Sequence, residues 1–222
     1  MPGYYTHMNG TIKELTATIG GLSNPSKMPG LSYGIPAKDC TIGSILRKIA
    51  GSVCHTCYAH KGMYSFGVVK RAQAKRLAIL SSDLSVWQAN MTQLLAKKYR
   101  NKTGADRVFR WHDSGDLQGS EHLSAIVEIA KYLPSIQFWL PTKEYAIIRE
   151  FLQVSEFPAN LVVRVSAPMI GQAMAEIPGT VSSTVNMADH GFQCPAYSQD
   201  GKCGDCRSCW DITVPSVNYP PH

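Results

Sequence analysis

"RVFRWHDSGDLQGSEHLSAIVEIAKYLPSIQFWLPTKEYAIIREFLQ", residues Arg107 to Gln153, alternates between two hydrophobic rhythms. Arg107 to His112 is rich in β-formers and reads as a strand. A polar packet on a glycine follows it. Ser120 to Leu133 then repeats apolar residues every third or fourth position, which puts Leu123, Ile126, Val127 and Ala130 on one helical face, with Ser120 as the cap. Ile136 to Leu140 is strand-like again, and Lys143 to Gln153 is helical again. Strands and helices alternating at this spacing predict βαβ units, right-handed connections and a parallel sheet.

The pattern extends in both directions. Downstream, "LVVRVS" (Leu161–Ser166) reads as a strand and "TVSSTV" (Thr180–Val185) as another. Upstream, helices are predicted over Gly67–Leu80 and Leu84–Tyr99, the second with Leu84, Trp87, Met91, Leu94 and Lys98 on a stripe and Ser82 or Asp83 as cap. "TIGSILRKIA" predicts a helix whose face is Ile42, Ile45, Leu46 and Ile49, capped by Thr41. The start of the chain, to about Pro36, is rich in Gly, Pro and Ser and reads as mostly loop, with a short strand at Leu31–Ile35. From Met187 the alternation is expected to stop, giving way to a cysteine-rich tail. A full eight-stranded barrel takes about 250 residues, whereas this chain has 222 and must also house the tail. The fold class is therefore α/β: a partial parallel barrel, or an open sheet of roughly five or six strands, with extra N-terminal helices. Residues 1–186 form the α/β domain carrying the early cysteines, and 187–222 a metal-binding tail packed on it.

The apolar content, 44%, supports a normal core without covalent staples. "MPGYYTHMNGTIKEL" has no apolar leader segment, and no stretch approaches transmembrane length. A soluble, cytoplasmic protein with no membrane contact is expected, in a compartment where clustered thiols more often bind metal than pair as disulfides. The net charge of +6 favours anionic partners. Its two concentrations, "VVKRAQAKR" at Val68–Arg76 and "KKYRNK" at Lys97–Lys102, read first as solvated helix faces and second as a nucleic-acid surface.

The seven cysteines fall into two groups. The late group is Cys194, Cys203, Cys206 and Cys209, the last three each two residues apart. Four thiolates suit tetrahedral zinc or an iron–sulfur cluster. Zinc ribbons use two separated C-x2-C knuckles, whereas a run of three close cysteines with a distant fourth follows the ferredoxin arrangement. Gly201 and Gly204 ease the approach of backbone to the centre. The early group, Cys40, Cys54 and Cys57, leaves one ligand position open. His55, His60 or His112 is a candidate extra ligand, and the alternatives are an open iron, an Asp, or a cysteine borrowed from the tail, which would make the two groups one site. Cys40 also reads as a plain buried residue.

In parallel α/β folds, functional groups collect at the carboxyl ends of strands. Here those ends carry His112–Asp116, "PTKE" (Pro141–Glu144) and "VSAP" (Val165–Pro168). Alternation places Arg110 with His112 on one face, and Arg164 with Ser166 on one face. An arginine inside such a strand requires a partner. The ligand-binding candidates are therefore Arg110, Asp113, Ser114, Asp116, Arg164 and Ser166, for an anionic or zwitterionic ligand. An ion pair of an arginine with Asp113 or Asp116, and "SGD" as a bare turn and cap, are the structural alternatives.

"KMPGLSYGIPAKDC", "GSVCHTCYAHKGMYSF", "FRWHDSGDLQ", "FWLPTKEY", "VRVSAPM" and "CPAYSQDGKCGDCRSCWD" together resemble a family of small bacteriophage-encoded iron–sulfur proteins of largely unassigned function. That resemblance implies expression in a host cytoplasm. A weaker resemblance, to radical S-adenosylmethionine enzymes, rests on "CHTCYA", on "SGD" at a strand end and on the cysteine-rich tail. It implies a partial barrel, a 4Fe–4S cluster and S-adenosylmethionine as cofactor. The sequence departs from it in separating Cys40 from Cys54 by a helix-length insert. The expectation is a protein binding one or two 4Fe–4S clusters, acting on a small molecule or with a redox partner. The alternative is a zinc-binding protein for nucleic acid or a host partner.

Overall fold

A computed structural model describes residues 10–220. The sheet is assembled from β1 (Leu31–Tyr33), β2 (Val108–Trp111), β3 (Gln137–Thr142), β4 (Leu161–Ser166), β5 (Val181–Val185), β6 (Phe192–Gln193) and β7 (Ser216–Tyr219). Its order is β1-β2-β3-β4-β5-β7-β6, and every neighbouring pair is parallel. The sheet is open, with β1 and β6 at its edges. The chain is thus α/β, with an open parallel sheet of seven strands. The expected strands all form. The expected end of the pattern at Met187 is corrected, because the tail supplies β6 and β7. Both are short, and Ser216 and Asn218 on β7 are buried polar residues, so the segment lacks the apolar run that marks a parallel strand.

The helices are α1 (Ile12–Thr18), α2 (Thr41–Leu46), α3 (Gly67–Ser82), α4 (Leu84–Tyr99), α5 (Ser120–Tyr132) and α6 (Tyr145–Leu152). Helix α1 replaces part of the expected N-terminal loop; residues 1–9 of that loop lie outside the described residues. Thr11 and Glu14 form a capping box, each binding the other's backbone N–H, and Leu15 and Ile19 are buried. Helix α4 begins at the Asp83 cap, whose carboxylate accepts the Val86 N–H at 3.0 Å. Its stripe ends on the buried Tyr99 rather than on Lys98, which is exposed. Helix α5 is entered through Gly119 at φ +143°, and Ser120 makes no side-chain cap. Helix α2 is shorter than expected. It starts after Cys40 and buries none of its residues, and Ile45 and Ile49 are exposed.

The two faces of the sheet bury different things. One face carries Tyr33, Phe109, Trp111, Phe138, Leu140, Val163 and Val165, packed against α1, α4, α5 and α6 in the main core. The other face carries Val108 and Trp139, packed with Cys209, Trp210 and Val217 from the tail. The tail is therefore the lid of the second face. Arg164, fully buried on β4, fixes it there by donating to the carbonyls of Ser182 (2.7 Å), Val214 (3.2 Å), Ser208 (3.0 Å) and Asp211 (3.3 Å).

Candidate metal centres at the carboxyl edge and under the tail

The exit of β2 determines the geometry of the carboxyl edge. His112 takes a left-handed conformation, φ +53°, and Gly115 follows at φ +84°. A Cβ on Gly115 would collide with Ile35 Cγ1 and lie 2.9 Å from the Ile35 carbonyl. Only glycine serves there. The turn buries Asp113, Ser114 and Asp116. Asp116 Oδ1 accepts from Thr142 Oγ1 (2.6 Å) and the Leu117 N–H (2.8 Å), and Oδ2 accepts from the Lys143 N–H (2.9 Å). Burial raises its pKa, and these hydrogen bonds oppose the rise. Asp116 thus joins the exits of β2 and β3. Asp113 Oδ1 and Ser114 Oγ are buried with no hydrogen-bond partner among the described residues.

The loop carrying the early cysteines crosses this edge and is tied to three strand exits. Tyr58 donates to the Asp113 carbonyl (2.7 Å) and Tyr64 to Asp113 Oδ2 (3.0 Å). The Ile42 N–H donates to Glu144 Oε1 (3.1 Å), and the Val53 N–H to the Pro168 carbonyl (2.9 Å). The Cys57 N–H closes a turn on the Cys54 carbonyl at 3.3 Å. Cys40 Sγ and Cys54 Sγ lie 3.5 and 3.7 Å from the point a Cβ would occupy on Gly43, so any larger residue would fill the space between the sulfurs. Burial pushes the Cys40 thiol up, and the charges of Asp116, Cys57 and Cys54 push it further. The Cys54 thiol is also raised by burial, against the pull of Lys143.

The late cysteines gather under the tail. The Cys206 N–H closes a turn on the Cys203 carbonyl (3.0 Å), the Cys203 N–H donates to the Lys27 carbonyl (2.9 Å) and the Cys194 N–H to the Asn218 carbonyl (2.9 Å). Cys209 Sγ lies 3.1 Å from the Tyr219 hydroxyl, and Cys194 packs against the cluster that holds Cys209. Burial raises the Cys209 thiol to about 11. Burial also raises Cys203 and Cys194, and their neighbouring thiols add to it. All seven cysteines are free thiols.

Early thiols therefore act on early thiols, and late on late. Among the described residues no three His, Cys, Asp or Glu side chains close to the dimensions of a single-ion site. The donors nevertheless fit a thiolate-bound centre in kind. Each set is grouped, and burial, joined by the neighbouring thiols, raises Cys40 and Cys54 in one and Cys194, Cys203 and Cys209 in the other, a penalty that a cationic core removes.

The other sequence candidates lie as follows. His55 Nδ1 is turned to the Arg47 carbonyl at 3.0 Å. His60 lies beside Arg47, which together with burial lowers its pKa. His112 is not on the Arg110 face: its left-handed backbone turns the ring to His122 on α5, with centroids 5.4 Å apart. Arg110 donates to the Tyr58 hydroxyl (3.0 Å) and stacks over Trp139, its guanidinium carbon 4.4 Å from the ring centre. Arg164 is committed to tail carbonyls rather than to Asp113 or Asp116. Ser166 Oγ accepts from Ser183 Oγ (3.2 Å). Sequence reasoning did not single out Lys143, Tyr58, Tyr64 or Tyr145. The signals were there in "PTKE" at a strand end and in the tyrosines beside the cysteine loop. A hollow of about 550 Å³ lined by Leu152, Phe157 and Ile177, near the amino ends of β4 and β5, contains no thiol.

No helix among the described residues is long and apolar enough to cross a membrane. No curated protein and no solved structure matches the chain. Residues 7–212 match the model of a phage-type family described as Gene product 88. That match spans both cysteine groups and every strand but the last, and the chain belongs to the gene product 88 family.

Proposed function

We propose that this protein is an iron–sulfur protein with two separate centres, in which the early centre meets the ligand and the late centre closes the second face of the sheet. The observation that carries this is the partition of the thiols into two sets whose members, among thiols, act only on one another, Cys54 and Cys57 on Cys40 and Cys57 on Cys54, and Cys194 and Cys206 within the late group. The early set has three thiols and lies where parallel α/β folds place their chemistry. A 4Fe–4S centre held by three cysteines supplies one-electron chemistry and an iron free to take a ligand. The chain's own contribution is the surround: Lys143 offsets the negative charge of Cys40 and Cys54, and Asp113 Oδ1 and Ser114 Oγ are buried polar atoms with no partner among the described residues. An acceptor and a hydroxyl so placed suit the ammonium end of a zwitterion such as the amino-acid part of S-adenosylmethionine. The strands run in sequence order from β1 to β5, which favours a partial-barrel ancestry over a doubly wound one.

Anaerobic reconstitution with iron and sulfide, followed by iron and sulfide analysis and a visible spectrum, tests the reading. A brown protein with a broad visible band supports it. A colourless protein that takes zinc in preference under the same conditions would refute it and favour the zinc alternative.

A further inference from the structure

The positive charge is not spread over the molecule. Between Asp39 and Asp83 the chain has no Asp or Glu and seven Lys and Arg, whereas the remainder carries fifteen Lys and Arg against sixteen Asp and Glu. One of the seven, Arg76, is buried and donates to the carbonyls of Gly20 and Gly34. The other six, Arg47, Lys48, Lys61, Lys70, Arg71 and Lys75, are exposed, and none makes an ion pair among the described residues. One segment therefore displays the whole positive excess.

That segment forms a continuous surface. Helix α2 buries none of its residues, and the Arg47 carbonyl that follows it lies 3.0 Å from His55 Nδ1, with His60 beside Arg47. The turns Tyr58–His60 and Gly62–Ser65 pack on each other, and the second packs on α3. On α3, Val68, Arg71 and Lys75 follow at steps of three and four residues, which aligns them on one exposed stripe. Tyr58 and Tyr64 anchor the segment to the exit of β2 through Asp113, so the surface is preformed.

The same segment carries five of the twelve large hydrophobic side chains exposed among the described residues: Ile45, Ile49, Met63, Phe66 and Val68. Met63, Phe66 and Val68 are 70%, 56% and 65% exposed. A basic face that serves only solvation has no use for them. Cations of one sign beside open apolar side chains suit a partner that is anionic along its whole length and has apolar surface to offer. A folded protein's surface mixes both signs of charge. A duplex offers phosphates but keeps its base faces stacked. A single strand offers phosphates along its length and base faces free to pack.

We infer that the face formed by residues 45–75 binds single-stranded nucleic acid, its cations meeting the phosphates and Phe66, flanked by Met63 and Val68, meeting the bases. This goes beyond the iron–sulfur reading and does not rest on it. Charge, exposure and packing carry it, with or without a metal at the cysteines.

The test is fluorescence anisotropy of a labelled oligothymidylate of about 20 nucleotides, titrated with the full-length protein over a range of salt. Binding is expected to weaken as salt rises. Lys70→Ala/Arg71→Ala is expected to lower the slope of log affinity against log salt by about 1.4, since each phosphate contact on a single strand contributes about 0.7. Phe66→Ala is expected to weaken binding about fivefold or more at an unchanged slope. Lys131→Ala/Arg149→Ala, which removes the same charge from α5 and α6, is expected to leave the slope unchanged. All five side chains are exposed, and circular dichroism confirms that each variant is folded. No binding of the strand at low salt overturns the inference. So does an equal loss of slope in the two double variants, or a Phe66→Ala protein that binds as the parent does. A duplex of the same length that binds as tightly as the strand overturns the assignment of the apolar side chains to bases. Displacement by poly-L-glutamate, charge for charge as readily as by unlabelled strand, overturns the inference and points to an acidic protein instead.

Discussion

Replacing Arg164 with methionine should release the tail from the sheet. The side chain is fully buried and donates to four carbonyls, three of which (Ser208, Asp211 and Val214) belong to the tail and one (Ser182) to β5. Charge-assisted hydrogen bonds contribute roughly 1.5–3 kcal/mol each, and every carbonyl left unpaired costs about 1–3 kcal/mol. Against this stands the relief from burying a cation, which is large enough to cancel much of the sum. The net loss expected is about 3–5 kcal/mol, the usual cost of deleting one partner from a buried charged network. For a chain of this size 1 kcal/mol moves the midpoint by about 2–4 °C, so Arg164→Met should melt roughly 6–20 °C lower. The assay is thermal unfolding by far-ultraviolet circular dichroism, with near-ultraviolet signal from Trp139 and Trp210 and limited proteolysis of the tail run in parallel. Tail cleavage and loss of the tryptophan signal should precede global unfolding, because the helix-side core of Phe109, Trp111 and Phe138 does not depend on Arg164. A change below about 1 kcal/mol, or a tail as protected as in the parent, would refute the pinning role.

Two further outcomes follow from the carboxyl edge. Asp116→Asn should cost about 1–3 kcal/mol, since an amide nitrogen cannot accept from either the Leu117 or the Lys143 N–H and leaves a buried donor unpaired; urea melts of the two proteins check this, and equal midpoints would contradict it. Burial lowers the pKa of His112, and holds His122 down to about 3. Their folded pKa values lie below the unfolded value of about 6.5, so the stability they allow is complete above that pH and is lost as pH falls towards the folded values. Each should contribute a loss of about 1.4 kcal/mol per pH unit below pH 6.5. Asp116 and Glu144, raised by burial, oppose this trend lower in the range, so the window to measure is pH 7 to 5.5. A stability that stays flat across that window would contradict the buried neutral pair.

The part of the fold that the sequence made legible is the part built from repeated physics. Ser120–Leu133 buries Leu123, Ile126, Val127 and Ala130, as its period requires, and the strands from Arg107 to Val185 follow from apolar runs between helices. The errors have a common cause: periodicity marks a face without saying what covers it. Ile42, Ile45 and Ile49 repeat like a core face, yet α2 ends at Leu46 and Ile45 and Ile49 are exposed among the described residues. Strand β7 reads as loop because its neighbours are prolines and its buried residues include Ser216 and Asn218. Alternation placed His112 beside Arg110, but a single left-handed residue moves the ring to the other side of the sheet. Helix α1 was readable from Thr11-x-x-Glu14 ahead of Leu15 and Ile19, and the surrounding glycines and prolines hid it. At the sites, cysteine spacing indicated the two groups, and strand ends indicated Asp113, Ser114 and Asp116. What spacing does not carry is contact across the fold, which is how Tyr58, Lys143 and Arg110 enter.

The central claim is that the thiols form two centres rather than one shared centre. Iron and acid-labile sulfide per chain, measured after anaerobic reconstitution of the parent, of a Cys54→Ser/Cys57→Ser chain and of a Cys203→Ser/Cys206→Ser chain, tests it most directly. The account predicts that each double variant keeps about half the parent's iron and sulfide, with the late-site variant also the less stable protein. If either pair of substitutions removes all the iron, the cysteines form one shared centre and the account is wrong.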